Sequence, residues 1–118
     1  MDTQSLDPGS LNRLRDLGAE IGNERFLEQM AEIYLESLPP IDTLRQKLGE
    51  ADRKAVGDMA HSLRGNSASF GALRLAELAA DLESRAERDE LAEPWPRWQD
   101  FADEYERVDQ ELRRLLAS

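Results

Sequence analysis

The sequence predicts an all-α protein, an antiparallel four-helix bundle with a short additional N-terminal helix. Almost every stretch of the 118 residues carries apolar side chains at helical spacing, and none alternates convincingly as a strand. The connections between these stretches are short, which favours antiparallel neighbours. No internal repeat or linker divides the chain, so we expect residues 1–118 to form a single domain.

The short N-terminal helix is expected to cap one end of the bundle. Asp7 has the character of an N-cap, and Pro8 suits a first helical turn. The stripe that follows ends near Gly18, and its members are Leu11, Leu14 and Leu17.

The second helix is expected to start after Asn23 as its cap and to be interrupted by Pro39 and Pro40. Tandem prolines remove two backbone donors, which predicts a kink or a restart before the helix continues to Gly49. Before the prolines the apolar stripe consists of Phe26, Met30, Ile33 and Tyr34, with Leu27 and Leu38 at its edges. After them it consists of Ile41, Leu44 and Leu48.

Three more helices follow. One starts near Asp52 and is expected to fray between Asn66 and Phe70. The next starts near Ala72 and weakens over the charged residues 85–93, before a loop or helix start at residues 94–96. Its stripe is Leu75, Leu78, Ala79 and Leu82. The last helix has the clearest pattern, a 3-4-3-4-3 spacing of Trp98, Phe101, Tyr105, Val108, Leu112 and Leu115.

Composition excludes several classes of function. With 25 acidic and 15 basic residues, the net charge of -10 disfavours binding to a nucleic acid. The chain has no cysteine and one histidine, so disulfides, thiolate sites and multi-histidine metal sites are excluded. A run of carboxylates lacks the Glu-x-x-His pattern of metal sites in bundles, and we interpret it as a solvated helix face. It comprises Asp100, Asp103, Glu104 and Glu106.

The sequence gives no sign of membrane contact. No apolar run approaches the roughly 20 residues that span a bilayer, and Met1 to Ser10 lacks the features of a secretion signal. We therefore expect a cytoplasmic location, either for a protein that stands alone or for a segment of a larger protein whose membrane part lies elsewhere.

His61 is expected to be exposed on the third main helix. At about 100° per residue, His61 points roughly 150° away from the centre of that helix's apolar cluster. The cluster comprises Val56, Met59, Ala60 and Leu63.

Two glycines flank His61 at one helical turn on either side. Gly57 and Gly65 each cost about 1 kcal/mol relative to alanine inside a helix, and access to the imidazole is a physical reason for that cost. Alternatively, Gly57 is neutral near the helix start and Gly65 serves close helix packing. Arg64 lies on the same face, where its guanidinium would offset negative charge on a group bound to the imidazole; the alternative is a solvated arginine without a partner.

The stretch from His61 to Ala72, followed by Leu75, Leu78, Leu82 and Glu83, resembles the signature of histidine-containing phosphotransfer (HPt) domains. That family has a histidine, then Leu or Phe, a basic residue, glycine, small residues and a Gly-Ala pair, and a following helix that ends in Leu-Glu. The departures are Arg64 where Lys is commoner, Asn66 where Ser or Ala is commoner, and Ala79 where Cys is frequent. None of them removes the histidine.

The resemblance implies roles for single residues. His61 would be the phosphoacceptor, Arg64 the cation beside it, and Gly65 the residue that opens space for a partner. Glu83 matches a family position that contacts the imidazole; the alternative is an ordinary exposed glutamate near a helix end. We place the partner-binding surface on Gly57, Gly65, Ser67 and Ala68, although Ser67 is expected mainly to shape the helix end.

The resemblance also implies a function without a bound cofactor. His61 would accept a phosphoryl group from the phospho-aspartate of a receiver domain, in a response regulator or a hybrid sensor histidine kinase, and pass it to another receiver. Mg²⁺ is expected on the receiver. The chain lacks a glycine-rich phosphate loop, so we do not expect an autonomous kinase. The chain would stand alone or form the cytoplasmic C-terminal part of a membrane sensor kinase. We expect a monomer. Leu27, Leu35 and Leu73 are candidates for an apolar docking patch, and the alternative for each is a core or helix-edge residue.

Two other interpretations remain. The bundle would be a non-catalytic, acidic interaction module that binds a receiver or kinase without phosphotransfer, or a hydrolase with His61 as base. The sequence shows no nucleophile with an oxyanion site, which disfavours the hydrolase.

Overall fold

The computed structural model describes residues 4–117, and over these residues the chain forms six helices and no strand. The helices are α1 (Pro8–Glu20), α2 (Phe26–Ser37), α3 (Ile41–Gly49), α4 (Arg53–Phe70), α5 (Leu73–Glu87) and α6 (Trp98–Ala117). α4 packs against α2 and α5, and α6 packs against the same two helices. The predicted all-α four-helix bundle is confirmed, with α2 and α3 together forming one of its four sides.

Tandem prolines separate α2 from α3. α2 ends at Ser37, and the backbone is extended at Leu38 and Pro40, where ψ is 124° and 130°. A new helix then begins at Ile41. The restart agrees with the loss of two backbone donors at these positions. Asn23, in contrast, is not the N-cap of α2; its side chain accepts from the backbone N–H of Arg25 in the turn before that helix.

The N-terminal helix lies over the end of the bundle, as predicted. Asp7 caps α1 by accepting from the backbone N–H of Ser10, and its own N–H donates to the carbonyl of Gly71 at 2.9 Å. α1 continues beyond Gly18 to Glu20, so the predicted end was two residues early. Gly18 serves close packing, because a Cβ there would lie 2.7 Å from the Cβ of Phe26.

The apolar core runs along α2 on a different line from the predicted one. The buried residues are Leu27, Ala31, Tyr34 and Leu38, whereas Ile33 is 59% exposed. The placement of Ile33 in the core stripe was therefore wrong. Leu27 and Leu38, expected at the edges, lie near its centre because small Ala31 completes their helical spacing.

α4 is helical to Phe70, so the predicted fraying from Asn66 to Phe70 was wrong. Ser67 and Phe70 are buried, and the Phe70 ring stacks on Tyr34 with centroids 5.2 Å apart. Gly71 then ends the helix at a φ of 103°, and the N–H groups of Gly71 and Ala72 both donate to the carbonyl of Ser67. Left-handed backbone at this position favours glycine.

Candidate functional site

The candidate site lies on the α4–α5 hairpin, whose register is fixed at both ends. Gly71 and Ala72 form the tight turn at one end. At the other end the Arg53 guanidinium donates to the carbonyls of Ala86 and Glu87, at 2.8 and 2.7 Å. These contacts also satisfy carbonyls in the last turn of α5. The hairpin thereby sets His61 of α4 beside Glu83 of α5.

His61 is exposed, as the helical pattern predicted, and its ring is anchored at one nitrogen. Its side chain is 67% exposed, and Nδ1 lies 2.7 Å from Oε2 of Glu83. No described residue hydrogen-bonds the other nitrogen, Nε2. With Nδ1 as the donor to the carboxylate, Nε2 carries the free lone pair.

Glu83 is mostly buried, with a side chain only 12% exposed, so it is not an ordinary surface glutamate. Its second oxygen, Oε1, lies 3.2 Å from a terminal nitrogen of the Arg64 guanidinium. One carboxylate thus contacts both the imidazole and the guanidinium. In this state the Arg64 guanidinium is paired with Glu83, although Arg64 was expected to serve a phosphoryl group.

Small side chains leave the surface around His61 open. A Cβ on Gly65 would meet no atom within 4 Å, so the interpretation of Gly65 as a helix-packing glycine was wrong. A Cβ on Gly57 would lie 3.7 Å from the Cβ of Ala86, an ordinary contact. Ala68 is exposed as well. Three of the four residues assigned to the partner-binding surface are thus at or near the surface.

Ser67 is the exception, and its assignment to the binding surface was wrong. The residue is fully buried, and its hydroxyl lies 2.6 Å from the hydroxyl of Tyr34. The cause is its place on the buried face of α4, four residues after Leu63 and three before Phe70. The sequence held this signal, because Ser67 continues the apolar spacing of the helix.

Among the three leucines considered for a docking patch, Leu73 is 51% exposed, Leu35 is half-buried and Leu27 belongs to the core. Exposed Ile33 on α2 was missed as a surface residue. Its helix packs directly against α4.

The described residues contain no cluster of three His, Cys, Asp or Glu side chains that would hold a metal ion. Within the acidic run of α6, however, Glu104 is buried rather than solvated. Its Oε1 accepts from the Arg107 guanidinium at 3.0 Å. No helix within residues 4–117 has the length and apolar character needed to cross a membrane.

Comparison with known families agrees with this geometry. The profile of the Hpt domain family matches residues 24–118, which is most of the chain. The protein belongs to this family, and it is therefore a histidine phosphotransfer domain of two-component signalling.

Two relatives support the assignment. The chain is 30% identical over 82 residues to the phosphorelay protein LuxU of Vibrio harveyi, covering 69% of this chain and 71% of LuxU. Its fold is similar to the crystal structure of histidine-containing phosphotransfer protein B (HptB) from Pseudomonas aeruginosa PAO1. That match has a TM-score of 0.71 and 25% identity, and covers 98% of this chain and 94% of HptB. Phosphorelay proteins of this family imply a receiver domain or a kinase as partner.

Proposed function

We propose that His61 accepts a phosphoryl group from the phospho-aspartate of a receiver domain and passes it to the aspartate of another receiver. One observation carries the proposal: the single histidine presents Nε2 at the surface while buried Glu83 holds Nδ1. A ring fixed in this way is a ready nucleophile at one defined atom. The similarity to a phosphorelay protein supports a place in such a relay.

The chemical step requires no external base. The lone pair of Nε2 attacks phosphorus in line, the N–P bond forms, and the P–O bond to the aspartate breaks with its electron pair. The aspartate leaves as a carboxylate, and the proton on Nδ1 stays in place. Because the transition state is loose, positioning and electrostatics supply the catalysis.

Most of the positive charge that stabilises the transferring phosphoryl group comes from the partner. Mg²⁺ takes carboxylate oxygens as ligands, and in the proposed complex we place it on the receiver. Mg²⁺ held by the receiver would neutralise charge on the phosphoryl oxygens. Arg64 adds one cation from this chain if its guanidinium turns from Glu83 toward the phosphoryl group.

A transfer experiment tests the proposal. The chain is mixed with a panel of purified receiver domains that have been phosphorylated with acetyl phosphate and Mg²⁺. Acid-labile, base-stable label should appear on the wild-type chain and be absent from His61→Gln. The variant should keep its helical content, and loss of the bond to Glu83 should lower its free energy of unfolding by only about 1 kcal/mol.

The same experiment distinguishes phosphotransfer from the alternative function. Receivers that bind the chain without transferring label would identify a non-catalytic interaction module. Label on both the wild-type chain and His61→Gln would place the acceptor elsewhere and contradict the proposal.

A further inference from the structure

The contact between Glu83 and His61 has a consequence for the loaded state, after the proposed transfer has attached a phosphoryl group to Nε2. The carboxylate oxygen lies 2.7 Å from Nδ1, and the Glu83 side chain is only 12% exposed. Water therefore has little access to replace the imidazole as partner of this oxygen. What happens at Nδ1 when Nε2 is occupied depends on this carboxylate.

Attachment of phosphorus to Nε2 leaves two forms of the ring. In one form Nδ1 keeps its proton, and the ring is a phospho-imidazolium with one positive charge. In the other form Nδ1 has lost its proton, and the ring is neutral. The neutral form would set a lone pair of nitrogen against a carboxylate oxygen at hydrogen-bond distance. Two acceptors without a proton between them lose the hydrogen bond and repel each other.

The phosphoryl charge favours the protonated form as well, because the side-chain charges around the ring occur in pairs of opposite sign. Oε1 of Glu83 is buried and makes no aligned hydrogen bond, although Arg64 of α4 lies 3.2 Å from it. One turn before His61, Asp58 pairs with Lys54 at 3.2 Å. No described charged group of α2 or α3 forms an ion pair with His61 within 4 Å. A phosphoryl group adds negative charge here, and a proton retained on the ring offsets part of it.

We infer that Glu83 keeps the proton on Nδ1 of His61 after phosphorylation, so that the loaded ring is a protonated and activated phosphoryl donor. The N–P bond of an imidazolium breaks more readily than that of a neutral ring, since a neutral imidazole then leaves. The acid lability of phosphohistidine reflects the same chemistry. Glu83 is thus a positioning residue that acts on the phosphoryl group through the ring.

A glutamine in place of Glu83 makes a sharp comparison. Its side chain has the same shape, yet the amide can rotate and donate an N–H to an unprotonated Nδ1. Glu83→Gln therefore supports the neutral loaded ring, which the carboxylate disfavours. Glu77→Gln is the matched control, because it removes the same charge from an exposed position on the same helix.

The experiment uses the whole chain, loaded on His61 with phosphoramidate so that no receiver is needed. Loss of label is followed between pH 6 and pH 9, and Nδ1 is observed by ¹⁵N NMR in the loaded protein. At pH 8 we expect label on Glu83→Gln to persist about tenfold longer than on the wild-type and Glu77→Gln proteins. A hydrogen bond to a charged group is typically strong enough for a change of this size. In the wild-type protein, Nδ1 should remain protonated at this pH, and urea-unfolded loaded chain should lose that protonation.

Two results would overturn the inference. One is equal lifetimes and equal pH profiles in the wild-type and Glu83→Gln proteins. The other is an unprotonated Nδ1 in loaded, folded wild-type protein at pH 8. This inference rests on the proposed function, but it fails separately: absence of label on wild-type His61 would contradict the phosphoacceptor role itself.

Discussion

At the scale of single residues, the orientation and the accessibility of His61 depend on different neighbours. Glu83 fixes the ring at Nδ1, whereas Gly65 leaves room above the helix. Exposure of His61 follows from helical spacing alone, so it was predictable. The contact with Glu83 joins residues 22 positions apart on two helices, and its geometry depends on the register of the hairpin. Only the family resemblance pointed to Glu83.

Gly65 is expected to lower the stability of the fold while it keeps the approach to His61 open. Gly65→Ala should raise the free energy of unfolding by about 1 kcal/mol, because alanine is the better helix former and its Cβ meets open space. Gly65→Gln should keep part of that gain but slow phosphoryl transfer at least about tenfold, since the longer side chain obstructs the approach to His61. Urea denaturation and the receiver transfer assay measure the two effects.

The control for Gly65→Gln is Gly49→Gln, made at another glycine whose added Cβ meets nothing within 4 Å. Gly49 ends α3 and borders a cleft formed with Leu91 and Trp98, which does not include His61. Transfer by Gly49→Gln should equal that of the wild-type protein. Unimpaired transfer by Gly65→Gln would show that the glycine has no role in access.

At the scale of helices and turns, the α4–α5 hairpin determines the site. Its turn is fixed by Gly71, which also accepts a hydrogen bond from Asp7 through its carbonyl. The Gly-Ala pair was visible in the sequence, but the continuation of α4 to Phe70 was not predicted. Polar residues from Asn66 to Ser69 suggested fraying, whereas tertiary packing of Ser67 and Phe70 holds the last turn.

Substitution of Gly71 should destabilise the protein by more than backbone strain alone. A Cβ at Gly71 would lie 2.5 Å from the Cβ of Ser10, and its φ of 103° already disfavours alanine. Left-handed strain of about 1–2 kcal/mol and overpacking of about 1–3 kcal/mol predict a loss near 3 kcal/mol for Gly71→Ala. Denaturation by urea, followed by far-UV circular dichroism, measures it.

Gly22 separates the two contributions. It also has a positive φ, 73°, but a Cβ there would meet nothing within 4 Å. Gly22→Ala should therefore cost only about 1 kcal/mol. Equal losses of unfolding free energy for the two variants would mean that α1 does not pack closely against the hairpin turn in solution.

At the scale of the whole molecule, polar groups lie inside the apolar core. Tyr34 bonds to Ser67, and Glu104 is buried with its pair Arg107 at the surface. Ser67 and Glu104 both occupy positions that continue an apolar stripe, so spacing alone would have placed them inside. Their polar side chains concealed the signal. Ile33 was wrongly predicted to be buried for the opposite reason, because this apolar residue lies on an exposed face of α2.

Burial of Tyr34 should make the fold sensitive to alkali. Desolvation raises the pKa of the Tyr34 phenol well above its ordinary value, and the nearby Glu104 adds to the shift. The folded protein then retains a proton that the unfolded chain releases above about pH 10, so this contribution to stability is full below pH 10 and is lost above it. The free energy of unfolding should fall by up to about 1.4 kcal/mol per pH unit there.

Tyr34→Phe tests this contribution. At pH 7 the variant should lose about 1 kcal/mol with its hydrogen bond to Ser67, but its stability should fall less steeply above pH 10. Tyr105→Phe is the control for removal of another tyrosine. Tyr105 is only partly buried, and burial raises its pKa too, so the comparison shows how much of the alkaline loss belongs to each phenol. Urea denaturation from pH 8 to pH 11 gives the profiles. Parallel profiles for wild-type and Tyr34→Phe proteins would contradict the assignment to Tyr34.

The central claim concerns one atom, Nε2 of His61, and NMR of the loaded protein tests it most directly. The chain, labelled with ¹⁵N, is phosphorylated by a loaded receiver domain, and coupling between ³¹P and the ring nitrogens is recorded. Our account predicts coupling to Nε2 of His61, with Nδ1 still bonded to hydrogen, and disappearance of the signal when an unloaded second receiver is added. Phosphorus on Nδ1, or on any other residue, would contradict it.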